Sequence, residues 1–396
     1  MGILSTFAVA ALSLVVTAAA AELLLRTLLP PLRGYFVLPP GADWTLEPPP
    51  GAFPGIAGAS RFRVNRFGIR GRLFGNDDAE YRILAIGGST TRCAALDDSK
   101  TWTHLLEAQL GNTVDGREPW VGNLGRDATT SRDHVLQLKY LLPQYPCIDA
   151  VVALVGVNDV IAVLQQGWQY RERQPITDPS AERARMPRAF YRFPGRLQDL
   201  AAYSRGPVPW YKATALWQLG RRAKVVLERQ RTFRFPDAPR RFEETRRRRQ
   251  TAATWFDSLP PLEQPLIEYR RNLNLMADLA VAAGARLVLV TQPSLWREGL
   301  PESVERLLVF GEVRRVQGPG PAYFTARAMG VAMARYNDTL LDVCRTRGLD
   351  CLDAAGLIPR DTTALYDDVH FNERGAQLFA DALIEHFRAR PPFRPG

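Results

Sequence analysis

Short apolar runs alternate with longer stretches of helical periodicity through most of the chain. The runs predict five strands, at residues 82–87, 120–124, 150–155, 286–291 and 350–353. Apolar runs without alternation are typical of strands buried on both faces of a parallel sheet. Because helical patterns separate these runs, the sequence predicts an α/β fold with about five parallel strands.

Two amphipathic helices flank the last predicted strands. The stretch LIEYRRNLNLMADLAVAAG repeats its apolar residues at a period near 3.6, which is typical of a helix with one buried face. Its face consists of Leu266, Tyr269, Leu273, Met276 and Ala280, before the end signal Gly284. The stretch NERGAQLFADALIEHF has the corresponding face Leu378, Phe379, Ala382, Leu383 and Phe387. Both patterns predict helices that pack against the sheet.

The N-terminus has a different pattern. Residues 3–21 carry no charge and are long enough to cross a bilayer as a helix. A cleaved signal peptide is the alternative, since the alanine run offers small-residue cleavage sites. No Lys or Arg precedes the apolar run, and LLLRTLL continues it. We therefore expect residues 1–28 to form an N-terminal transmembrane helix that anchors the chain in the membrane.

Two regions interrupt the α/β pattern. Residues 29–60 are proline-rich, which predicts an extended linker before an α/β domain at 61–390. In that domain, residues 62–71 alternate apolar and polar positions and predict an edge strand or hairpin. Residues 161–265 predict a mostly helical insertion with no clear strand. Its basic stretch RRFEETRRRRQ fits a lid, a surface for an anionic polymer or membrane, or a solvated helix face.

Composition narrows the choice of partners. The formal charge of +10 and pI near 9.7 suit an anionic partner. The chain has no zinc-finger spacing or repeated aromatic–basic pattern, so we expect no nucleic acid. None of its cysteines stands in a CxxC pair, and we expect neither metal nor cofactor. Cys344 and Cys351 lie close enough in sequence to bridge in an oxidising compartment, but we expect two free, partly buried thiols.

Candidate chemistry follows the predicted strands. In RILAIGGSTTRC an apolar run stops at two glycines and presents Ser89, which fits a helix N-cap or a nucleophile at a strand end. The stretches WVGNLGRD and ALVGVNDV bring Gly125 and Asn158 to the next two strand ends, and LYDDVHFNERG adds Asp367 and His370. In a doubly wound sheet the first three strands end side by side. We therefore expect these residues to converge.

Together these residues form the parts of a serine nucleophile system. A serine hydroxyl needs a base to take its proton, and His370 is the candidate. Asp367 is placed to accept the other ring N–H of that histidine and fix its tautomer. The oxyanion hole would use the backbone N–H groups of Ser89 and Gly125 and the side-chain amide of Asn158.

The blocks GGST, NLG, GVND and DDVH occur in the order of the four blocks of the SGNH/GDSL hydrolase superfamily, which the chain resembles from about Phe62 to Phe387 except in the insertion. The resemblance implies a three-layer α/β/α, flavodoxin-like fold with the roles just given. Its D-x-x-H spacing selects Asp367 over Asp368 as the partner of the histidine. The chain departs from the family where Gly88 replaces the GDS aspartate. A second departure is RDATTS, where a small, glycine-containing turn is usual.

The resemblance also implies a function and a place. Anchored relatives commonly face the periplasm or exterior and act on acyl esters of envelope glycans or lipids. We therefore expect a membrane-anchored serine esterase, periplasmic or extracellular, that hydrolyses O-acetyl or short acyl esters of carbohydrate or lipid. An O-acyltransferase on an extracellular polysaccharide would use the same acyl-enzyme. A non-catalytic glycan-binding envelope module is the third hypothesis.

Overall fold

The computed structural model describes residues 2–28, 34–75, 79–145, 147–193, 211, 214–217, 219–220, 237–314 and 320–393. Its contacts divide the chain into two compact units. One unit comprises Met1–Tyr35 and Arg192–Phe233, and the other comprises Phe36–Tyr191 and Arg234–Gly396. All of the candidate site residues belong to the second unit.

The strands and helices have the following bounds. The strands are β1 (Asp43–Leu46), β2 (Ser60–Arg63), β3 (Glu80–Gly87), β4 (Glu118–Asn123), β5 (Ala150–Leu154), β6 (Thr254–Phe256), β7 (Arg286–Val290), β8 (Glu312–Val313), β9 (Ala322–Phe324) and β10 (Asp350–Leu352). The helices are α1 (Gly2–Leu28), α2 (Ser89–Arg92), α3 (Trp102–Gln109), α4 (Ser131–Leu141), α5 (Val157–Leu164), α6 (Pro179–Ala189), α7 (Asp237–Gln250), α8 (Glu263–Ala282), α9 (Glu302–Glu305), α10 (Ala326–Arg347), α11 (Ala354–Leu357) and α12 (Glu373–Arg388).

A five-stranded parallel sheet with the spatial order β10-β7-β5-β3-β4 forms the centre of the second unit. Taken in chain order, these strands stand in the order 2-1-3-4-5, which is the flavodoxin-like doubly wound arrangement. The helices pack in two groups that flank the sheet, α3 with α12, and α8 with α4 and α10. The predicted α/β fold with about five parallel strands is confirmed, and so is its topology.

The two amphipathic helices lie where the periodicity predicts them. In α8 the side chains of Tyr269, Leu273 and Met276 are buried. In α12 the buried side chains include Phe379 and Leu383. Residues three and four apart share a helix face, so one stripe of each helix packs on the core.

The proline-rich stretch differs from the expected linker. It contains β1, which pairs antiparallel with β2, and its side chains Leu46 and Phe53 are buried. The predicted edge segment follows, and Arg70 forms an isolated antiparallel bridge with Asn123 at the end of β4. This region therefore belongs to the folded domain: Arg70 joins it to the edge strand β4, and Phe53 packs against Phe242 and Tyr366.

The insertion also differs from its prediction. It includes the short strand β6, which pairs parallel with β9, while β8 pairs antiparallel with β9. Strands of two or three residues are too short to show a period of two, so the sequence pattern did not reveal this small sheet. The helical part that the structure describes includes α6 and α7.

Cys344 and Cys351 form a disulfide with a Cα–Cα distance of 6.2 Å, so the expectation of two free thiols is wrong. Helix α10 ends at Gly348, which has the left-handed φ of 60°. The turn sends the chain straight back into β10, and this reversal brings the two cysteines together.

The N-terminal segment forms the helix α1 in the first unit. The Glu22 carboxylate accepts hydrogen bonds from the backbone N–H groups of Ala215 at 2.8 Å and Leu216 at 3.0 Å in the same unit. In the part of the chain that the structure describes, no helix has both the length and the apolarity needed to cross a bilayer. The predicted transmembrane anchor is therefore not confirmed.

Candidate active site

The turn between β3 and α2 places Ser89 at the first position of a short helix. Gly87 and Gly88 precede Ser89, and at neither position is there room for a side chain. A Cβ at Gly87 would collide with the side chain of Thr91, and a Cβ at Gly88 would collide with the amide of Asn158. The two glycines therefore allow close packing around Ser89, and Gly88 in place of an aspartate brings the Asn158 amide next to the turn.

A buried arginine holds the far end of this turn. The Arg70 guanidinium donates to the carbonyls of Arg92 at 2.6 Å, Cys93 at 2.8 Å and Leu96 at 2.7 Å. It also pairs with Asp98 at 2.8 Å. Burial lowers the pKa of Arg70, and the Asp98 carboxylate partly offsets that effect. The residues after Ser89 are thus fixed by a charged side chain from the edge segment.

Three predicted residues form one continuous hydrogen-bonded chain. The Ser89 Oγ lies 2.7 Å from His370 Nε2, and His370 Nδ1 lies 2.7 Å from Asp367 Oδ2. Asp367 is fully buried, and its Oδ1 accepts backbone N–H groups from Val369 at 3.0 Å and His370 at 2.9 Å. The structure therefore brings Ser89, His370 and Asp367 together in the order that the sequence predicts.

Two opposing effects act on the pKa of His370. Burial is the largest single effect and disfavours the charged imidazolium. The Asp367 carboxylate, together with the charges of Asp127 and Asp368, outweighs burial, so the pKa of His370 lies above its ordinary value. A base with a raised pKa accepts a proton more readily, provided that it is neutral at the working pH.

Asp368 does not compete for the histidine. Its carboxylate accepts hydrogen bonds from Trp296 Nε1 at 2.7 Å, Val309 N–H at 2.5 Å and Phe310 N–H at 3.3 Å. Burial and the neighbouring Asp367 raise its pKa. Adjacent carboxylates thus point in different directions, one to His370 and one to the 309–310 backbone.

Asn158 lies at the start of α5 and lines the same cavity as Ser89 and His370. Its Nδ2 donates to the Thr129 carbonyl at 2.8 Å. An amide NH₂ has two donors, so this bond fixes its orientation and leaves a second N–H for another acceptor. The structure therefore places Asn158 where the sequence predicts an amide donor.

Gly125 follows the end of β4, as the sequence predicts, but its N–H is bonded within the loop. Its N–H donates to the Asn123 side chain at 2.9 Å, and the residue does not line the cavity. A Cβ here would collide with the backbone N of Arg92, so the glycine allows the turn to pack closely against α2. The expected role of Gly125 as an oxyanion donor is therefore corrected to a packing role.

Ala128, which sequence reasoning missed, occupies the cavity wall instead, together with Ser89 and Asn158. Its φ of 58° is left-handed, which is unusual for a residue with a Cβ. Its N–H donates to no other residue within the described ranges. A signal for this position was available, because Thr130 and Asp133 form the capping box that begins α4 just after it.

The two charged residues of the RDATTS stretch have separate roles. Arg126 donates to the carbonyls of Val37 at 2.9 Å and Pro187 at 3.2 Å, so its guanidinium joins the chain before β1 to the end of α6. Asp127 pairs with Arg92 and lines the cavity. Only the aspartate therefore bears directly on the site.

The cavity beside Ser89 and His370 has a volume of about 420 Å³, which is enough for a small ligand. Its lining residues are Leu46, Phe53, Ser89, Arg92, Ala94, Ala95, Asp127, Ala128, Asn158, Ile161, Ala162, Gln165, Arg188, Phe242, Phe310, Arg314, Tyr366 and His370. The lining is thus aromatic and aliphatic with a few charged groups. Among the residues that the structure describes, no group of three or more His, Cys, Asp or Glu could hold a metal ion.

A doubly wound sheet with a Ser–His–Asp chain at its carboxyl edge defines the class of α/β serine hydrolases. The sequence profile of the GDSL-like lipase/acylhydrolase family matches residues 85–378. The chain belongs to this family, also called the SGNH/GDSL hydrolases, and it is a serine ester hydrolase.

Solved structures to which the chain is similar include an α/β hydrolase from the metagenome of Lake Arreo. It is 15% identical, has a TM-score of 0.38, and the match covers 77% of this chain and 94% of that one. An acetylxylan esterase from Geobacillus stearothermophilus is 14% identical with a TM-score of 0.38 and coverages of 77% and 93%. A G-D-S-L family lipolytic protein from Veillonella parvula is 10% identical with a TM-score of 0.38 and coverages of 78% and 100%. No curated protein sequence matches the chain.

Proposed function

We propose that the protein hydrolyses acetyl or short acyl esters of a carbohydrate through an acyl-Ser89 intermediate. The observation that carries this proposal is the chain of hydrogen bonds from Ser89 through His370 to Asp367, which opens on a cavity of about 420 Å³. A buried carboxylate behind the histidine is the arrangement that activates a serine hydroxyl.

In the first half-reaction Ser89 Oγ attacks the acyl carbonyl carbon and its proton passes to His370 Nε2. The C–O bond to the alcohol then breaks, and the imidazolium returns the proton to the departing oxygen. In the second half-reaction water gives a proton to His370 and attacks the acyl-enzyme, and the carboxylic acid leaves as Ser89 recovers its proton. Asp367 stabilises the imidazolium in both halves.

The tetrahedral oxyanion needs hydrogen-bond donors. Ser89 supplies its backbone N–H, because the first N–H groups of a helix have no acceptor within the helix. The second amide N–H of Asn158 and the backbone N–H of Ala128 complete the set in place of Gly125. Each such donor contributes about 3 kcal/mol of transition-state stabilisation.

The Cys344–Cys351 disulfide supports an oxidising location, so we propose that the enzyme works in the periplasm or outside the cell. Acylated envelope carbohydrates are available there. The acyl-enzyme would also transfer its acyl group to a sugar hydroxyl if such an acceptor entered before water, so products are best analysed with and without a glycan acceptor.

Fluorophosphonate labelling of the full-length protein tests the proposal without a known substrate. We expect the probe to modify Ser89, located by mass spectrometry, and to leave a folded His370→Ala variant unmodified. Absence of label from the folded wild-type protein, or equal labelling of the variant, would refute the assignment.

A further inference from the structure

Four aromatic rings, here called the aromatic wall, cluster next to His370 and line the cavity: Phe53, Phe242, Phe310 and Tyr366. Three of them lie close to the imidazole, with ring centroids 5.5 Å (Tyr366), 6.2 Å (Phe310) and 6.3 Å (Phe242) from it. Phe53 completes the wall at 4.8 Å from Tyr366 and 5.1 Å from Phe242. The wall is thus on the histidine side of the site.

The proposed chemistry assigns this side to the alcohol part of the ester. His370 Nε2 must come within hydrogen-bond distance of the departing oxygen to protonate it. The group attached to that oxygen therefore lies against the residues around the imidazole. Ile161 and Ala162 follow Asn158 by three and four residues on α5, so they share its helix face beside the proposed oxyanion donor.

Helix α7 of the insertion assembles the wall. It supplies Phe242, and its Arg246 donates to the carbonyls of Ala52 at 2.9 Å and Tyr366 at 3.4 Å. These contacts hold the backbone of two wall segments, because Ala52 directly precedes Phe53. One arginine therefore joins three of the four wall elements.

Arg249 holds the backbone of the fourth wall residue, Phe310. It donates to the Phe310 carbonyl at 2.8 Å, and its guanidinium lies over the rings of Trp255 at 4.9 Å and Tyr323 at 5.3 Å. Only 2% of this residue is exposed, although it stands in the run of arginines that a sequence pattern assigns to a solvated face. The basic run thus has an inward side that serves the cavity.

The lining also determines what kind of alcohol fits. Aromatic faces bind flat apolar surfaces, while Gln165 and Arg314 add hydrogen-bonding groups to the same cavity. A sugar ring has this combination, with C–H groups on its faces and hydroxyls around its edge. A lipid alcohol has only the apolar part.

We infer that the aromatic wall is the subsite for a sugar ring as the alcohol of the ester, and that Arg246 and Arg249 are positioning residues for it. The inference rests on the function proposed above and adds the residues that bind the carbohydrate leaving group. It assigns the insertion helix α7 to substrate selection.

The test compares three acetyl esters that differ only in the alcohol: acetylated methyl xyloside, ethyl acetate and octyl acetate. For Phe242→Ala we expect kcat/KM on the xyloside acetate to fall about tenfold, as for the loss of one aromatic contact, with ethyl acetate within about twofold. The control Ile161→Ala should leave the ratio of xyloside to ethyl acetate unchanged. A selective loss on octyl acetate would assign the wall to a lipid alcohol, and equal losses on all three esters would overturn the subsite.

The positioning role has its own matched pair of variants. Arg246→Gln should raise KM for the xyloside acetate, leave kcat on ethyl acetate nearly unchanged and be partly rescued by Arg246→Lys. Arg247→Gln, whose side chain is 64% exposed, should have no effect. Equal behaviour of the Arg246 and Arg247 variants would overturn this role.

Fluorophosphonate labelling distinguishes failure of the proposed function from failure of the subsite. If wild-type Ser89 is not labelled, the proposed function is wrong. If Ser89 is labelled normally but the variants leave the ester ratios unchanged, only the subsite is wrong.

Discussion

Asp367 binds His370 at two points, accepting the backbone N–H at 2.9 Å and ring Nδ1 at 2.7 Å. The backbone contact fixes the carboxylate relative to the chain, and the ring contact fixes the imidazole relative to the carboxylate. The three-residue spacing thus sets the position of Nε2 opposite Ser89.

Replacing Asp367 with Asn should lower kcat by about 10²–10⁴-fold, because the amide favours the wrong tautomer of the histidine. It should also move the acid limb of the pH profile. The reaction needs neutral His370, so wild-type kcat/KM falls as the pH drops below a pKa that Asp367 has raised. Without that carboxylate the pKa falls, and activity relative to the maximum persists to lower pH. If the acid limb of the kcat/KM profile does not move, carboxylates other than Asp367 keep the pKa of His370 raised.

Ser89→Ala should reduce ester hydrolysis by at least about 10³-fold, because it removes the hydroxyl that forms the proposed acyl-enzyme. The small side chain leaves the turn intact, so the thermal unfolding temperature should stay within a few degrees. Hydrolysis of 4-nitrophenyl acetate and circular dichroism measure the two effects. Substantial residual activity in a well-folded variant would point to another nucleophile.

Asn158→Ala should lower kcat by about 10²–10³-fold with little change in KM, since the oxyanion forms only in the transition state. Steady-state kinetics on one acetyl ester gives both constants. Because Asn158 also bonds the Thr129 carbonyl, the unfolding temperature needs to be measured on the same sample. A rise in KM alone would indicate a contact with the substrate ground state instead.

Gly125→Ala and Ala128→Gly separate packing from oxyanion binding. The first substitution should destabilise the protein by about 1–3 kcal/mol, because its Cβ would collide with the α2 backbone. The second keeps the N–H and relieves a left-handed residue of its Cβ, so activity should persist and stability should change by less than about 1 kcal/mol. Urea unfolding and kinetics on both variants check this contrast. The reverse pattern would return the oxyanion role to Gly125.

Cys351→Ser should lower the free energy of unfolding by about 2 kcal/mol, because the closed loop is short. The matched control is Cys147→Ser, which removes an exposed free thiol and should have no effect. Non-reducing unfolding curves for the two variants make the comparison. Equal curves would show that the bridge contributes nothing to stability.

The central sheet was predictable because β3, β5 and β7 are apolar runs that glycines or polar residues end abruptly. Ser89, His370 and Asp367 were predictable because each lies at an element boundary, where topology alone brings them together. Gly125 was chosen as a donor because it directly follows the second strand, whereas the structure bonds its N–H to Asn123 and brings Ala128, three residues further on and just before the capping box of Thr130 and Asp133, to the cavity.

Other features depend on tertiary contacts that leave no local pattern. The disulfide depends on the reversal at Gly348, and the packing of the proline-rich stretch depends on a distant helix that contacts Phe53. Arg249 is buried because it contacts two carbonyls and two aromatic rings, while Arg247, two residues earlier, is exposed. Such a difference between arginines of one run is set by the fold rather than by the run of charge.

Arg70 lies upstream of residues 85–378, the region that matches the family, yet it bonds three carbonyls at the end of α2 and just beyond it. A fragment trimmed to the family boundaries would keep every proposed catalytic side chain and lose this arginine together with β1 and β2. The carbonyls after Ser89 would then have to find water, and the serine would lose its fixed distance to His370. We therefore expect the smallest active fragment of this enzyme to be larger than its family signature and to include β1, β2 and Arg70.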